Sequence, residues 1–314
     1  MRGTAARWIG TALAAQLAAV APSLAQEATS EPPRRVVSTN LCTDQLAMLV
    51  AGDGQLYSVS ELADDPIYSV LADRAKDYVV NHGSAEEIFL MHPDLVLAGP
   101  FSSPASVDML RRLGFRVEMF QPETSFGQIR ANLRRMGEIL GHPRRADALI
   151  AEMDAAIAAL PKAASRETIA LFFANDYTAG RGTLADEVVR LAGLDNLAAR
   201  LGITAMARIP LEELVMARPD LIIGQPSFST PALAYQNLRH PAIRARVVGG
   251  DVANRLEKYW TCGGPFSVEA ARILVGIADR AATARTASQT QPGEGSTGPR
   301  AQFGRPREAE APRG

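Results

Sequence analysis

The chain is poor in what hydrolytic or metal-dependent catalysis requires. Its 314 residues include two cysteines and four histidines. G-x-S-x-G, S-x-x-K and H-E-x-x-H are all absent, which removes the corresponding serine and zinc hydrolases from consideration. His92, His142 and His240 each precede proline, a context of turns and extended backbone. Only His82, before Gly83 at a strand end, is placed to face a cleft. A resident Zn²⁺ or Mn²⁺ draws several His and carboxylate ligands together, and that supply is missing, so no metal or cofactor is expected. The formal net charge is −1 with no basic stripe, which argues against nucleic acid as a partner. Beyond the first 25 residues no long apolar run occurs.

Those 25 residues read as a secretory signal. Arg2 and Arg7 precede the apolar stretch Trp8 to Val20, and Ser23-Leu24-Ala25 is a small-x-small cleavage site. The apolar stretch is short for a membrane span, and no cysteine follows the cleavage site to carry a lipid. An exported, soluble periplasmic protein is expected. From Ala284 to Gly314 the chain turns to Ser, Gln, Thr, Pro and Gly, too little apolar surface to offset ordering entropy, so a disordered tail is expected there.

Between these ends one motif is written twice. Ser84-Ala85-Glu86-Glu87-Ile88 runs through Pro93-Asp94-Leu95-Val96-Leu97-Ala98-Gly99, and Pro210-Leu211-Glu212-Glu213-Leu214 runs through Pro219-Asp220-Leu221-Ile222-Ile223-Gly224. Each copy reads as a short helix, a Pro-Asp corner and a buried strand. A single repetition at this distance implies two lobes of like build, since a solenoid needs three or more short-period copies. Around the first copy, short apolar strands (Arg35–Ser38, Leu56–Val59, Tyr78–Val80, Leu95–Ala98, Val117–Phe120) alternate with helices, the pattern of α/β layering on a mainly parallel sheet. Two helices follow, Phe126–Leu140 and Pro143–Leu160. In the second, Ala146, Leu149, Ile150, Met153, Ile157 and Leu160 form one apolar stripe. The expected fold is α/β: two Rossmann-like lobes (34–141 and 166–283) joined by one long helix (142–161).

Open α/β sheets bind ligands outside the carboxyl ends of their strands. Those ends, with the loop before the last helix, supply Asn40, Cys42, Thr43, Phe101, Ser102, Tyr177, Arg181, Gln225, Tyr259, Trp260 and Thr261 as candidate ligand contacts. Aromatic plates, hydroxyls, amides and one guanidinium suit a large, partly apolar ligand held by stacking and a few oriented hydrogen bonds. Gly180-Arg181-Gly182-Thr183-Leu184-Ala185 fits a dinucleotide pattern, but Asn175 to Ala179 separate it from the preceding strand, so it reads as a turn into a helix. Cys42 and Cys262 fall in loops assigned to opposite sides of the cleft. Export permits a disulfide that would lock the lobes, and spacing alone leaves the pairing open.

With Arg35-Val36-Val37-Ser38, both Glu-Glu…Pro-Asp-Leu copies, Thr178 to Thr183 entering a helix, Gly193-Leu194-Asp195-Asn196 and the loop before the last helix in view, the chain resembles the substrate-binding proteins of ABC importers for iron chelates, haem and cobalamin. The resemblance implies a monomeric periplasmic receptor that binds without catalysis. It would deliver a ferric siderophore or related iron complex, or alternatively cobalamin or haem, to a permease and ATPase complex. It also places permease-docking acids at Glu86 and Glu212. The final loop, Trp260 to Pro265, departs from the charged, aromatic-rich loop of the cobalamin binder. Two rival readings remain: an exported enzyme using Cys42 or Cys262 as nucleophile, with His82 the one base at hand, and an adhesive protein, which a polar-aromatic cleft disfavours.

Overall fold

The computed structural model describes residues 31–224, 233–248 and 251–290. The expected secretory segment, Gln225, and residues 291–314 lie outside them. The first lobe comprises Val36–Ser38 (β1), Leu41–Val50 (α1), Leu56–Ser60 (β2), Ala72–Ala75 (α2), Val79–Asn81 (β3), Ala85–Leu90 (α3), Leu95–Ala98 (β4), Pro104–Arg112 (α4) and Val117–Met119 (β5). Phe126–Leu140 (α5) and Pro143–Ala158 (α6) follow. The second lobe runs through Thr168–Phe172 (β6), Tyr177–Ala179 (β7), Leu184–Leu191 (α7), Asp195–Asn196 (β8), Leu197–Arg200 (α8), Met206–Arg208 (β9), Leu211–Ala217 (α9), Leu221–Gly224 (β10), Pro241–Arg244 (α10), Val247–Val248 (β11), Asp251–Trp260 (α11) and Ser267–Thr290 (α12).

Two parallel sheets form the lobes, in the orders β3-β2-β1-β4-β5 and β11-β10-β6-β8. The repeated motif has one structural job in both. His92 and Arg218 take left-handed backbone (φ 49° and 48°) and turn the chain out of α3 and α9. The next Pro-Asp pair brings a carboxylate onto the start of each lobe's first strand. Asp94 accepts from the amides of Arg34 and Arg35 at 2.6 and 3.0 Å, and Asp220 accepts from the amide of Thr168 at 2.8 Å. The strands that follow, β4 and β10, then pair with β1 and β6. These carboxylates thereby pair the amides at the strand starts, which the sheet ladder does not reach.

α6 carries the expected stripe, with Ala146, Ile150, Met153 and Leu160 buried and Leu149 and Ile157 packed on the core. Its start is tied to the first lobe by Arg145 Nη1 donating to the Ala51 carbonyl (2.9 Å), and Arg130 of α5 clamps Asp154 through Nε (2.9 Å). One apolar core runs without a break from Val36 and Leu46 through α5, α6 and Trp260 to Leu274 and Ala278 of α12. The lobes therefore share packed interior behind the cleft, so opening them would expose apolar surface.

Four local expectations change. α1 begins at Leu41, because Asn40 caps it by accepting from the Cys42 amide, so Cys42 and Thr43 are helical, not in a loop. α12 continues to Thr290, seven residues into the expected tail, where Arg285 pairs with Glu167. β7 and β9 form an antiparallel ribbon that short strands nearly thirty residues apart did not announce. α11 ends at Trp260, and the spacing of Ala253, Leu256 and Trp260, all buried, was its available signal.

Candidate functional site

Every strand of the first sheet ends at the cleft. Thr39 and Asn40 follow β1, Ser60 and Glu61 stand at the end of β2, His82 follows β3, and Phe101 and Ser102 follow β4. Together with Cys42, Thr261 and Cys262 they surround a pocket of about 330 Å³. On the other side lies a pocket of about 410 Å³, walled by Glu123 and Thr124 after β5, Phe173 after β6, Leu184, Met206, Glu257, Trp260 and Thr261. Thr261 borders both pockets. The cleft is thus two hollows meeting at one short loop.

Local structure sets each wall. Ser102 Oγ contacts Thr39 Oγ1 (3.0 Å) and accepts from the Gly99 amide (3.1 Å), which joins the ends of β1 and β4. Phe101 is left 79% exposed beside that joint, an apolar face turned to the cleft. Opposite it, the loop from Thr261 to Phe266 passes close to the crossover segment. The Gly263 amide donates to Glu123 Oε2 (3.2 Å), and a side chain there would put Cβ 2.4 Å from Glu123 Cβ. Only glycine fits.

The disulfide question is decided by the fold. Cys42, at the start of α1, is bonded to Cys262, with Cα atoms 5.0 Å apart across 220 residues of sequence. The helical start of α1 aims the thiol across the cleft, which a loop assignment could not reveal. Neither cysteine is free, and a thiol-dependent enzyme thereby loses both of its nucleophiles.

The remaining candidates divide. Asn40, Cys42, Phe101, Ser102, Trp260 and Thr261 meet at the two hollows. Thr43 is buried, its hydroxyl donating to the Asn40 carbonyl (2.9 Å) and touching Ser38 Oγ (2.8 Å), and it reaches only a narrow crevice between α1 and the crossover. Arg181 is exposed, lines neither hollow, and donates to the Ala199 carbonyl at 3.2 Å. Tyr177 stands under Arg208 on the ribbon, and Tyr259 packs half-buried on the core; neither borders the hollows. Gln225 is outside the described residues. The glycine motif is a turn into α7: Gly180 lies where a Cβ would be 2.3 Å from the Ile203 carbonyl oxygen, and Thr183 caps the helix.

Sequence reasoning missed Glu123 and Glu257. Burial pushes both carboxyls above their ordinary range, against hydrogen bonds from Asn132 and Gly263 to the first and from Trp260 and Thr261 to the second. With Glu61, they make the charged lining of the two hollows acidic; among the described residues no Lys or Arg borders either one. The Pro122-Glu123-Thr124 step between a strand and α5 was the sequence signal for Glu123, but a single acid in a loop carries no direction by itself.

Two parallel-sheet lobes joined by α5 and α6 thus frame a cleft at the strands' carboxyl ends. A family model described as periplasmic binding protein matches residues 36–243, and the chain belongs to that family. It is 25% identical over 224 residues to the vitamin B12-binding protein of Photorhabdus laumondii subsp. laumondii, covering 69% of this chain and 79% of that one. A cobalamin-binding protein of Halobacterium salinarum is 26% identical over 202 residues, 61% of this chain, and the match spans about half (53%) of that protein's length. In fold, the chain is similar to the periplasmic haem-binding protein RhuT of Roseiflexus sp. RS-1 (TM-score 0.62, 22% identity, 79% and 99% of the two chains). It is also similar to the periplasmic vitamin B12-binding protein BtuF of Vibrio cholerae (TM-score 0.55, 19% identity, 80% and 98%). These relatives are named for binding. Among the described residues no helix is long and apolar enough to cross a membrane.

Proposed function

We propose that the protein is the periplasmic receptor of an ABC importer and that its cargo is an electrically neutral or cationic metal chelate, a corrinoid or a ferric hydroxamate. The observation that carries the choice is the lining itself. Trp260, Phe173 and Phe101 offer apolar faces for stacking, Asn40, Ser102 and Thr261 offer hydrogen bonds, and among the described residues the lining carries carboxyl groups and no Lys or Arg. A ligand bearing several carboxylates would meet like charge in a partly desolvated cleft, which disfavours haem and anionic siderophores. The cobalamin-binding relatives support the corrinoid member of the class, and the acidic lining supports both members.

Delivery requires a second surface. Glu86 and Glu212 occupy matching positions in the first turns of α3 and α9, and both are exposed. Glu87 is engaged locally, accepting from the His82 amide at 2.8 Å, so the first acid of the pair is the one available. We assign Glu86 and Glu212 to docking on a basic permease surface, where charge complementarity steers a transient encounter.

The test is a calorimetric panel of cyanocobalamin, a cationic ferric trihydroxamate, haem and an anionic ferric tricatecholate. Saturable binding is expected for one of the first two and at least tenfold weaker binding for the last two. Preferential binding of an anionic chelate, or no binding across the panel, refutes the ligand class.

A further inference from the structure

The disulfide is not on the back of the molecule. Cys42 and Cys262 both border the first-lobe hollow, and Thr261, between Trp260 and Cys262, borders both hollows. The bridge thus stands in the wall where ligand must sit. Behind the cleft the lobes are already joined by α5, α6 and a shared core. A hinge needs one free edge to open, and here the front edge is tied as well.

What the bridge holds is a short loop with few other anchors toward the first lobe. From Thr261 to Phe266 the chain has two adjacent glycines, Gly263 and Gly264. Thr261 Oγ1 donates back to the Glu257 carbonyl (2.8 Å) and the Gly264 amide donates to Ser267 Oγ (3.1 Å), both within the second lobe. Toward the first lobe there is the Gly263 to Glu123 hydrogen bond at 3.2 Å, a modest contact. At its other end the bridge starts from α1, whose Leu41, Thr43, Asp44 and Leu46 are buried and rigidly packed. A firm helix is thereby bonded to a short glycine-containing loop, directly beside the indole that lines the larger hollow.

We propose that the Cys42–Cys262 bridge is a positioning element of the binding site: it sets the gap between the lobes and holds Trp260 and Thr261 in place, so that capture uses a preformed groove and reduction of the folded chain loosens the grip. The proposal rests on the chelate-receptor reading for its ligand readout. A staple that acts only by restricting the unfolded chain would raise global stability and leave the folded groove unaltered; a positioning bridge changes the groove itself. Preorganised walls lower the ordering penalty on binding, and losing them appears mainly as faster release.

The test compares oxidised protein with protein reduced by dithiothreitol at 20 °C, and with the Cys42→Ser, Cys262→Ser double variant. Dithiothreitol breaks the Sγ–Sγ bond, delivers two electrons and two protons to form two thiols, and closes to its own cyclic disulfide. Hydrogen exchange supplies a readout that needs no ligand: peptides covering residues 258–266 should exchange at least tenfold faster after reduction, while α1, β1, β4, β6 and β10 stay protected. Cyanocobalamin and the ferric trihydroxamate supply the second readout, with release of the bound probe about tenfold faster from reduced protein and restored on reoxidation. Unchanged exchange in the 258–266 peptides, or equal release rates, overturns the proposal. So does global loss of circular dichroism on reduction, which would make the bridge a staple for the whole fold. If neither probe binds either form, the chelate reading fails while hydrogen exchange still decides the role of the bridge.

Discussion

Asp44 provides a test of the fold's electrostatics close to the cleft. It lies fully buried in α1, where Oδ2 accepts from the Ser60 amide (3.2 Å) and hydroxyl, and Oδ1 has no partner among the described residues. Burial raises its pKa from 3.8 to about 7, against the opposing hydrogen bonds from Ser60. Between these values the folded protein holds a proton that the unfolded chain has released. Stability therefore falls as pH rises through that window, the reverse of a salt-bridged carboxylate. About three pKa units at 1.36 kcal/mol each give a total penalty on the order of 4 kcal/mol, of which about 3 kcal/mol develops between pH 5 and 8. Asp44→Asn keeps an oxygen for Ser60 and removes the titration. Any packing penalty of its amide is independent of pH, so the informative quantity is the difference between variant and wild type. Chemical unfolding at pH 5, 6, 7 and 8 should show Asp44→Asn gaining about 3 kcal/mol relative to wild type across that range, with an unchanged denaturant slope. A flat difference, or one that grows towards acid, would refute the assignment of a protonated, desolvated Asp44.

Two further outcomes follow from the placement of side chains. Trp260→Phe keeps a ring in the larger hollow but removes the indole donor to Glu257, so calorimetry should show cyanocobalamin or hydroxamate binding weakened about tenfold, roughly 1.4 kcal/mol; Arg181→Ala, outside both hollows, should stay within twofold of wild type. Replacing Glu86 and Glu212 together by Ala should leave ligand affinity unchanged and abolish uptake in transport assays, and normal uptake by that double variant would remove the docking assignment.

Much of the architecture was legible because it is written in local, periodic chemistry. The paired Glu-Glu…Pro-Asp segments announced two lobes. The reason lies in the corner: a carboxylate three or four residues after the helix reaches the amides that begin each lobe's first strand, as Asp94 does for Arg34 and Arg35 and Asp220 does for Thr168. The stripe on α6 likewise stated which face it buries. The ribbon of β7 and β9 was not legible, since three-residue strands gain their stability from partners distant in sequence. α11 was hidden by its polar surface, although its three buried positions kept helical spacing.

For the site, the chain by itself determined which strand ends would form a wall, because a parallel sheet brings all its carboxyl ends to one edge, and it marked Asn40, Phe101, Ser102, Trp260 and Thr261 accordingly. Tertiary structure alone decided that Cys42 and Cys262 meet, that Arg181 turns outward to Ala199, and that Glu123 and Glu257 face the larger hollow. Each of these depends on the direction of a side chain across a gap between segments distant in sequence. Composition and spacing carry no such vector; it comes into being when the two lobes pack on their common core.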